Sequence, residues 1–290
     1  MNDVTAAYTI GHWTDREALT GCTVVLFDRL VPAAFEARGG APGTRETDLL
    51  RPSASVRSVD AIMLSGGSAP GLSSADGAIR YLRERQRGFP TAAGPIPIVS
   101  AAIVFDLAVG QAVSPNADNG YAACLAAVEP DSIERGAVGA GIGARVGTVD
   151  RSQAPRQGGF GAASVQTTAG VVSAYLVVNA AGEVITPDLD MDVRKSLLTV
   201  PIPGEGREST TIGVVVTDAE VDHRTLERMT IAAHDGMSRM IRPCHTAFDG
   251  DAIFTVGLRH GSVDLRVTTL LGIATELAVE QAILDAVMMR

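Results

Sequence analysis

An α/β fold is the class this sequence predicts, and three observations predict it. Short β-prone apolar runs recur along the chain, glycine-rich loops follow several of them, and stretches of helical character come next. That order belongs to a layered sandwich and not to a helical bundle. With 290 residues and 46% hydrophobic content, the chain is long enough for one large α/β domain or two small ones with a substantial core.

The elements follow in chain order. Residues 22–27 (CTVVLF) and 60–64 (DAIML) are β-prone, and the second run leads through SGGSAPGLSSADG into a helical stretch around AIRYLRER. The pattern recurs more loosely in the apolar residues 96–109 and the glycine-rich residues 136–147. Residues 171–185 predict a hairpin turning at Ala181-Gly182. Residues 186–209 are polar, contain Pro and Gly and lack periodicity, so they predict an exposed linker ending at Ser209. A buried strand is predicted over 210–219, a helix over about 222–240, a strand over 253–258 and an amphipathic helix from about Val267.

A net charge of −9 without any Lys/Arg-rich run excludes the electrostatic footprint of nucleic-acid or anionic-membrane binding and favours a small-molecule or peptide substrate. Cys22, Cys124 and Cys244 form no C-x-x-C pair, which predicts buried free thiols. The N-terminal segment lacks a signal-peptide pattern and no run of 18 apolar residues occurs, so the expected location is the cytoplasm.

The junction EST-TIGVVV places a hydroxyl residue where a mobile linker meets a buried strand. Attack of the Thr210 hydroxyl on the Ser209 carbonyl would replace the amide by an ester. Hydrolysis of that ester would leave Thr210 as a new N-terminus, its α-amine, with a pKa of roughly 7.7–8, beside the hydroxyl as a general base. On the residues alone, Thr-Thr is equally an ordinary strand start.

Two other patterns invite chemistry. Gly139-x-Gly141-x-x-Ala144 satisfies a loose dinucleotide pattern, but no apolar strand leads into it and Gly147 interrupts the helix that should follow. His234, Asp235, His245, Asp249 and Asp251 could be metal ligands, giving a metal-dependent hydrolase as an alternative, although their spacing is neither a zincin helix nor an EF-hand loop.

The segments GGAPGTRETDLL (39–50), LSGGSAPGLSSADG (64–77), GAGIGARVG (139–147), VVNAAGEV (177–184), TTIGVVVTDA (210–219) and AAHDGMSRMIRPCHTAFDGDAIF (232–254) together resemble the DmpA-like family of L-aminopeptidase D-Ala-esterase/amidases. That family also includes β-aminopeptidases and nylon-oligomer hydrolases. The resemblance implies a four-layer αββα sandwich of N-terminal-nucleophile type over residues 1–290. It also implies self-cleavage into chains 1–209 and 210–290, usually assembled as a homotetramer of such pairs, with no cofactor and no metal. It implies Thr210 as nucleophile, Asp249 and Asp251 beside it, and Tyr121 and Asn179 as oxyanion donors.

Two neighbouring carboxylates would attract a substrate ammonium and shift each other's titration, while D-G-D alone is also an ordinary turn. Gly66, Gly67 and Ser68 are expected to line the substrate pocket, since glycines let backbone approach a ligand, although a plain βα turn would use them too. Two positions depart from the family pattern. Ser209 precedes the cut where Asn or Gly is usual, and Gln157 precedes Gly158-Gly159 where Lys is usual, with Arg156 beside it as a substitute cation. A relative that keeps the fold but only binds a ligand is the remaining alternative.

Overall fold

The computed structural model describes residues 7–149, 154–186, 194, 198 and 209–288. Its strands are β1 (Tyr8–Asp15), β2 (Thr20–Ala37), β3 (Thr44–Arg45), β4 (Ser58–Ser65), β5 (Val99–Ile103), β6 (Arg145–Val146), β7 (Arg156–Gln157), β8 (Gly159–Gln166), β9 (Val171–Val178), β10 (Glu183–Val184), β11 (Ile212–Val221), β12 (Ile241–Arg242) and β13 (Ala252–His260). The helices are α1 (Ser74–Glu84), α2 (Ala117–Leu125), α3 (His223–Met240) and α4 (Leu265–Met288).

The long strand β2 belongs to both halves of the fold. Its first part pairs with β1 and β4, its register slips between Leu26 and Val31, and its last residues pair with β13. A bulge of this kind bends a strand enough to hand it from one sheet to another. The resulting path is β3-β5-β4-β2-β13-β11-β9-β8.

Three cores fill the spaces between layers. Ile10, Phe27, Ile62, Phe160, Val177, Ile212 and Phe254 belong to the cluster between the two sheet halves. Leu176, Val215, Leu226, Met229, Ala278 and Ile283 join α3 and α4 to the second half, while Cys22, Met63, Ala78, Leu82 and Cys124 join α1 and α2 to the first. The order is therefore helix, sheet, sheet, helix, the αββα sandwich expected.

Three of the outer helices have a local reason to begin or to dock. Asp222 caps α3 by accepting the Thr225 N–H at 2.8 Å, and Asn116 caps α2 in a reciprocal box with Asn119. Helix α4 buries Leu271, Ala274, Thr275, Ala278, Val279, Ala282, Ile283 and Ala286, the three-and-four spacing of one amphipathic face.

The hairpin expected over 171–185 is not formed. Strand β9 has β8 on one edge and β11 on the other, so the chain after Ala181-Gly182 leaves it and β10 pairs with β12 instead. Residues 139–141 form a buried single turn and not the strand-to-helix entry of a dinucleotide fold. Most of the predicted linker, 187–193, 195–197 and 199–208, lies outside the described residues. Its last residue, Ser209, is buried at 1% exposure.

Candidate active site

Strands β11 and β13 run parallel, with Ile212 opposite Ala252, and the same offset of 40 residues continues before the strands, where Ser209 bridges Asp249. The D-G-D segment therefore lies alongside Ser209-Thr210-Thr211. On the other side, β9 runs antiparallel to β11, and beyond its end the Asn179 carbonyl accepts the Thr210 N–H at 2.6 Å.

The bond expected to be cut sits in a fixed environment. The Thr210 hydroxyl donates to the Ser209 carbonyl oxygen at 2.6 Å, and the Gly250 N–H donates to the same oxygen at 2.9 Å. The Ser209 hydroxyl lies 2.9 Å from that of Thr148. A Cβ on Gly250 would stand 2.8 Å from the Thr210 hydroxyl oxygen, so only glycine lets this backbone approach so closely.

The two carboxylates beside it are buried at 2% exposure each and held by different donors. Asp251 accepts the Thr211 N–H at 2.8 Å on one oxygen, and the His245 N–H at 3.1 Å and Nδ1 at 2.7 Å on the other. Asp249 accepts the Thr246 N–H at 2.8 Å and the Ala181 N–H at 3.4 Å. Burial first, and the charge of Asp251 second, push the Asp249 carboxyl up to about 6. Neither carboxylate holds the Thr210 hydroxyl, whose bond goes to Ser209.

Asn179 approaches Thr210 through its backbone. Its side chain is engaged elsewhere, accepting the Arg145 N–H at 2.9 Å and donating to the Phe105 carbonyl at 3.2 Å. Tyr121 is not brought to this cluster. It stands on α2, its hydroxyl 2.6 Å from Glu84 of α1 and its ring against Arg80 and Tyr81.

Gly66, Gly67 and Ser68 turn around Asp106, which accepts the Gly67 N–H at 2.7 Å and the Thr20 hydroxyl at 2.7 Å. The space beside Gly66 is taken by Asp106 and Thr20, and that beside Gly67 by Ser114, so the close approaches these glycines permit are to protein atoms. Gln157 donates to the Ala144 carbonyl at 3.1 Å, accepts from Arg145 at 2.7 Å, and lines an open cavity of about 800 Å³ with Arg16, Arg135 and Arg156. Arg156 pairs with Glu183 at 2.7 Å, so the cation beside Gln157 is Arg145.

The residues of the metal reading do not converge as a set. Asp249 is turned to Thr246 and Ala181, and Asp235 makes a surface pair with Arg38 at 3.4 Å. His234 faces the Glu36 carbonyl through Nε2 at 3.0 Å, and its pKa is lowered to about 4 by burial. Cys22 and Cys124 are buried as expected, whereas Cys244 is half-buried beside His245 and Asp251.

Sequence reading missed Gly250, Arg145 and Cys244 as neighbours of the site, and it named His245 only as a candidate metal ligand. The register of two parallel strands places the first, and no spacing rule reports that. His245 carried one local signal, its position in C-H-T-A-F-D-G-D.

A four-layer αββα sandwich of this kind is an Ntn-hydrolase type of fold. Solved structures agree on the fold. The L-aminopeptidase D-Ala-esterase/amidase of Ochrobactrum anthropi, described as a variant of the Ntn-hydrolase fold, superimposes with a TM-score of 0.75 at 15% identity, over 97% of this chain and 84% of its own. A Burkholderia sp. β-aminopeptidase gives 0.75 at 19% identity with the same coverage.

The family itself follows from sequence. The chain belongs to peptidase family S58, whose model matches residues 2–290, and it is a peptidase hydrolase. A Mycobacterium leprae protein designated an uncharacterized aminopeptidase is 40% identical over 92% of this chain and 81% of its own length. The 6-aminohexanoate-oligomer endohydrolase of Paenarthrobacter ureafaciens is 29% identical over 96% and 83%.

Proposed function

We propose that this peptidase matures by cutting its own backbone before Thr210, and then hydrolyses amide bonds next to a free amino terminus through an acyl-enzyme on Thr210. The observation that carries the reading is the Ser209 carbonyl, which accepts both the hydroxyl that would attack it, at 2.6 Å, and the Gly250 N–H, at 2.9 Å.

In the first step the Thr210 oxygen attacks the Ser209 carbonyl carbon. Negative charge grows on the carbonyl oxygen, where the Gly250 N–H is already aimed. The C–N bond breaks, the nitrogen takes the proton the hydroxyl gave up, and an ester links Ser209 to the Thr210 oxygen. Water then releases the two chains. The freed α-amine is held at the Asn179 carbonyl and acts as base for the hydroxyl, and the same oxygen attacks a substrate carbonyl.

Small peptides, aminoacyl amides or esters are the substrates this site suits. A carboxylate at Asp249 beside the nucleophile favours a substrate ammonium, and the names of the similar aminopeptidases and of the aminohexanoate-oligomer hydrolase all imply an amine on the substrate. The expected assembly is a homotetramer of αβ pairs.

The test is direct. From a 30.0 kDa chain, purified protein should give fragments of roughly 22 and 8 kDa on a denaturing gel. The smaller should begin Thr-Thr-Ile-Gly on N-terminal sequencing. An intact chain that hydrolyses no aminoacyl amide would overturn the proposal, and a first residue of Ser209 or Thr211 would move the nucleophile.

A further inference from the structure

Next to the nucleophile strand, two side chains that the chemistry just described does not use, Cys244 and His245, meet the active-site carboxylate of Asp251 at one point. One ligand-type atom from each lies within 4.8 Å of the others. The Cys244 sulfur is 3.5 Å from His245 Nδ1 and 3.6 Å from the Asp251 Oδ2 atom, and Nδ1 and Oδ2 are 2.7 Å apart. We infer that these three side chains form a binding site for a borderline-soft divalent cation such as Zn²⁺, with a fourth position open to water.

The geometry fits the ion. Zinc bonds of about 2.3 Å to sulfur and about 2.0–2.2 Å to nitrogen and oxygen at tetrahedral angles place neighbouring ligand atoms roughly 3.3–3.6 Å apart. Both sulfur distances already match, and the nitrogen and oxygen, 2.7 Å apart, need to separate by about 0.7 Å as their hydrogen bond is given up. The donor set, one thiolate, one imidazole and one carboxylate, is of the kind zinc takes in open sites.

A second observation points the same way. His234 packs its ring against His245 with centroids 4.9 Å apart, and its Nδ1 is buried without a partner. The Nε2 of this histidine donates to the Glu36 carbonyl, so the bare Nδ1 carries a lone pair. The ring that carries this unpaired nitrogen packs edge-on against His245, so unsatisfied polar capacity lies on the residue next to the cluster. The His245 side chain is 15% exposed, which leaves an entry path.

Binding balances simply. The thiol gives up its proton to solvent, the imidazole proton moves from Nδ1 to Nε2, and the cation takes the three lone pairs. Local charge rises from −1 on Asp251 to zero. Asp251 keeps its other oxygen on the Thr211 N–H, so the strand stays fastened while one of the two negative charges beside Thr210 is neutralised. If the proposed function holds, added Zn²⁺ therefore inhibits turnover and a chelator restores it.

The site itself is tested without activity. Protein stripped by chelator should bind one equivalent of Zn²⁺ in titration calorimetry. Its Co²⁺ form should show the near-ultraviolet thiolate-to-cobalt absorption that only a sulfur ligand produces. Cys244→Ser, checked for native circular dichroism, should lose that absorption and weaken Zn²⁺ by about a hundredfold or more, since even outer-shell changes cost 10- to 100-fold. His245→Gln provides a second variant, also expected to weaken Zn²⁺ binding, should Cys244→Ser misfold. No stoichiometric binding, or binding that survives in Cys244→Ser with its spectrum unchanged, overturns the site whatever Thr210 proves to do.

Discussion

Two loops in this molecule are built around aspartates that are almost completely buried, and they make a controlled comparison. Asp106 anchors the Gly66-Gly67-Ser68 turn by accepting one backbone N–H and one hydroxyl, and burial alone raises its carboxyl above the usual range. Asp249 likewise accepts backbone N–H groups in a glycine-containing turn, but it has Asp251 as a neighbour and the Thr210 segment running beside it in register. Both loops satisfy their buried charge, so satisfaction does not separate structure from chemistry. What separates them is the second carboxylate and the adjacent hydroxyl, which together make a negative site beside the proposed nucleophile.

The largest expected effect breaks the comparison at its centre. Thr210→Ala should abolish both the self-cut and amidase turnover, because it removes the attacking oxygen and leaves the strand packing nearly unchanged, whereas Thr210→Ser should keep part of each. A gel and a chromogenic aminoacyl amide read both. Full turnover in the alanine variant would return Thr210 to being the first residue of a strand.

Next come the aspartates themselves. Asp249→Asn and Asp251→Asn should each lower kcat by about 10²-fold or more, the scale on which aimed electrostatic groups act. Asp106→Asn should change it by less than a few fold. Equal losses at all three positions would mean that the D-G-D loop is scaffold in the same sense as the Gly66 turn.

Gly250→Ala sharpens the point between them. Its methyl would meet the Thr210 hydroxyl oxygen at 2.8 Å and the Ala41 carbonyl at 2.7 Å. Overpacking of this kind costs about 1–3 kcal/mol, so self-cleavage should slow by roughly 5- to 150-fold in a time course of the precursor. Unchanged processing would show that the approach of Gly250 does not set the attack geometry.

How much of this was legible in the sequence differs between the same two loops. The α/β class, helix α3 and strand β11 were readable because apolar periodicity and capping residues are local signals, whereas the αββα layering came from the resemblance. The D-G-D segment was found by resemblance, and its position beside Ser209-Thr210-Thr211 by register, which is a long-range property no window of sequence contains. Strand β2 was read only over residues 22–27, since Asp28 and Arg29 and then Pro32 interrupt the pattern where the strand passes between sheet halves. Tyr121 and the side chain of Asn179 were assigned to the oxyanion. Tyr121 instead sits on the outer helix pair, and Asn179 turns its amide to Phe105. The glycines at 66 and 67 were expected to face a ligand and face Asp106, Thr20 and Ser114, because a glycine reports close approach without reporting what approaches.

The smallest expected effect belongs to Asp106 and concerns stability. Burial raises its folded pKa above the ordinary aspartate value of 3.8, the Gly67 and Thr20 bonds acting in the opposite direction without cancelling it. Between 3.8 and the folded value the native state therefore holds more protons than the unfolded chain, so stability falls as pH rises through that window. An asparagine keeps an acceptor for the Gly67 N–H and can share a hydrogen bond with Thr20, while it carries no charge to desolvate. Asp106→Asn should thus flatten the stability curve above pH 3.8 and leave the protein at neutral pH as stable as wild type or slightly more so, measured as urea midpoints at several pH values. A large loss of stability at neutral pH would show instead that the ionised carboxylate is required to hold the turn. In that case the two loops would differ in their neighbours alone and not in how they tolerate charge.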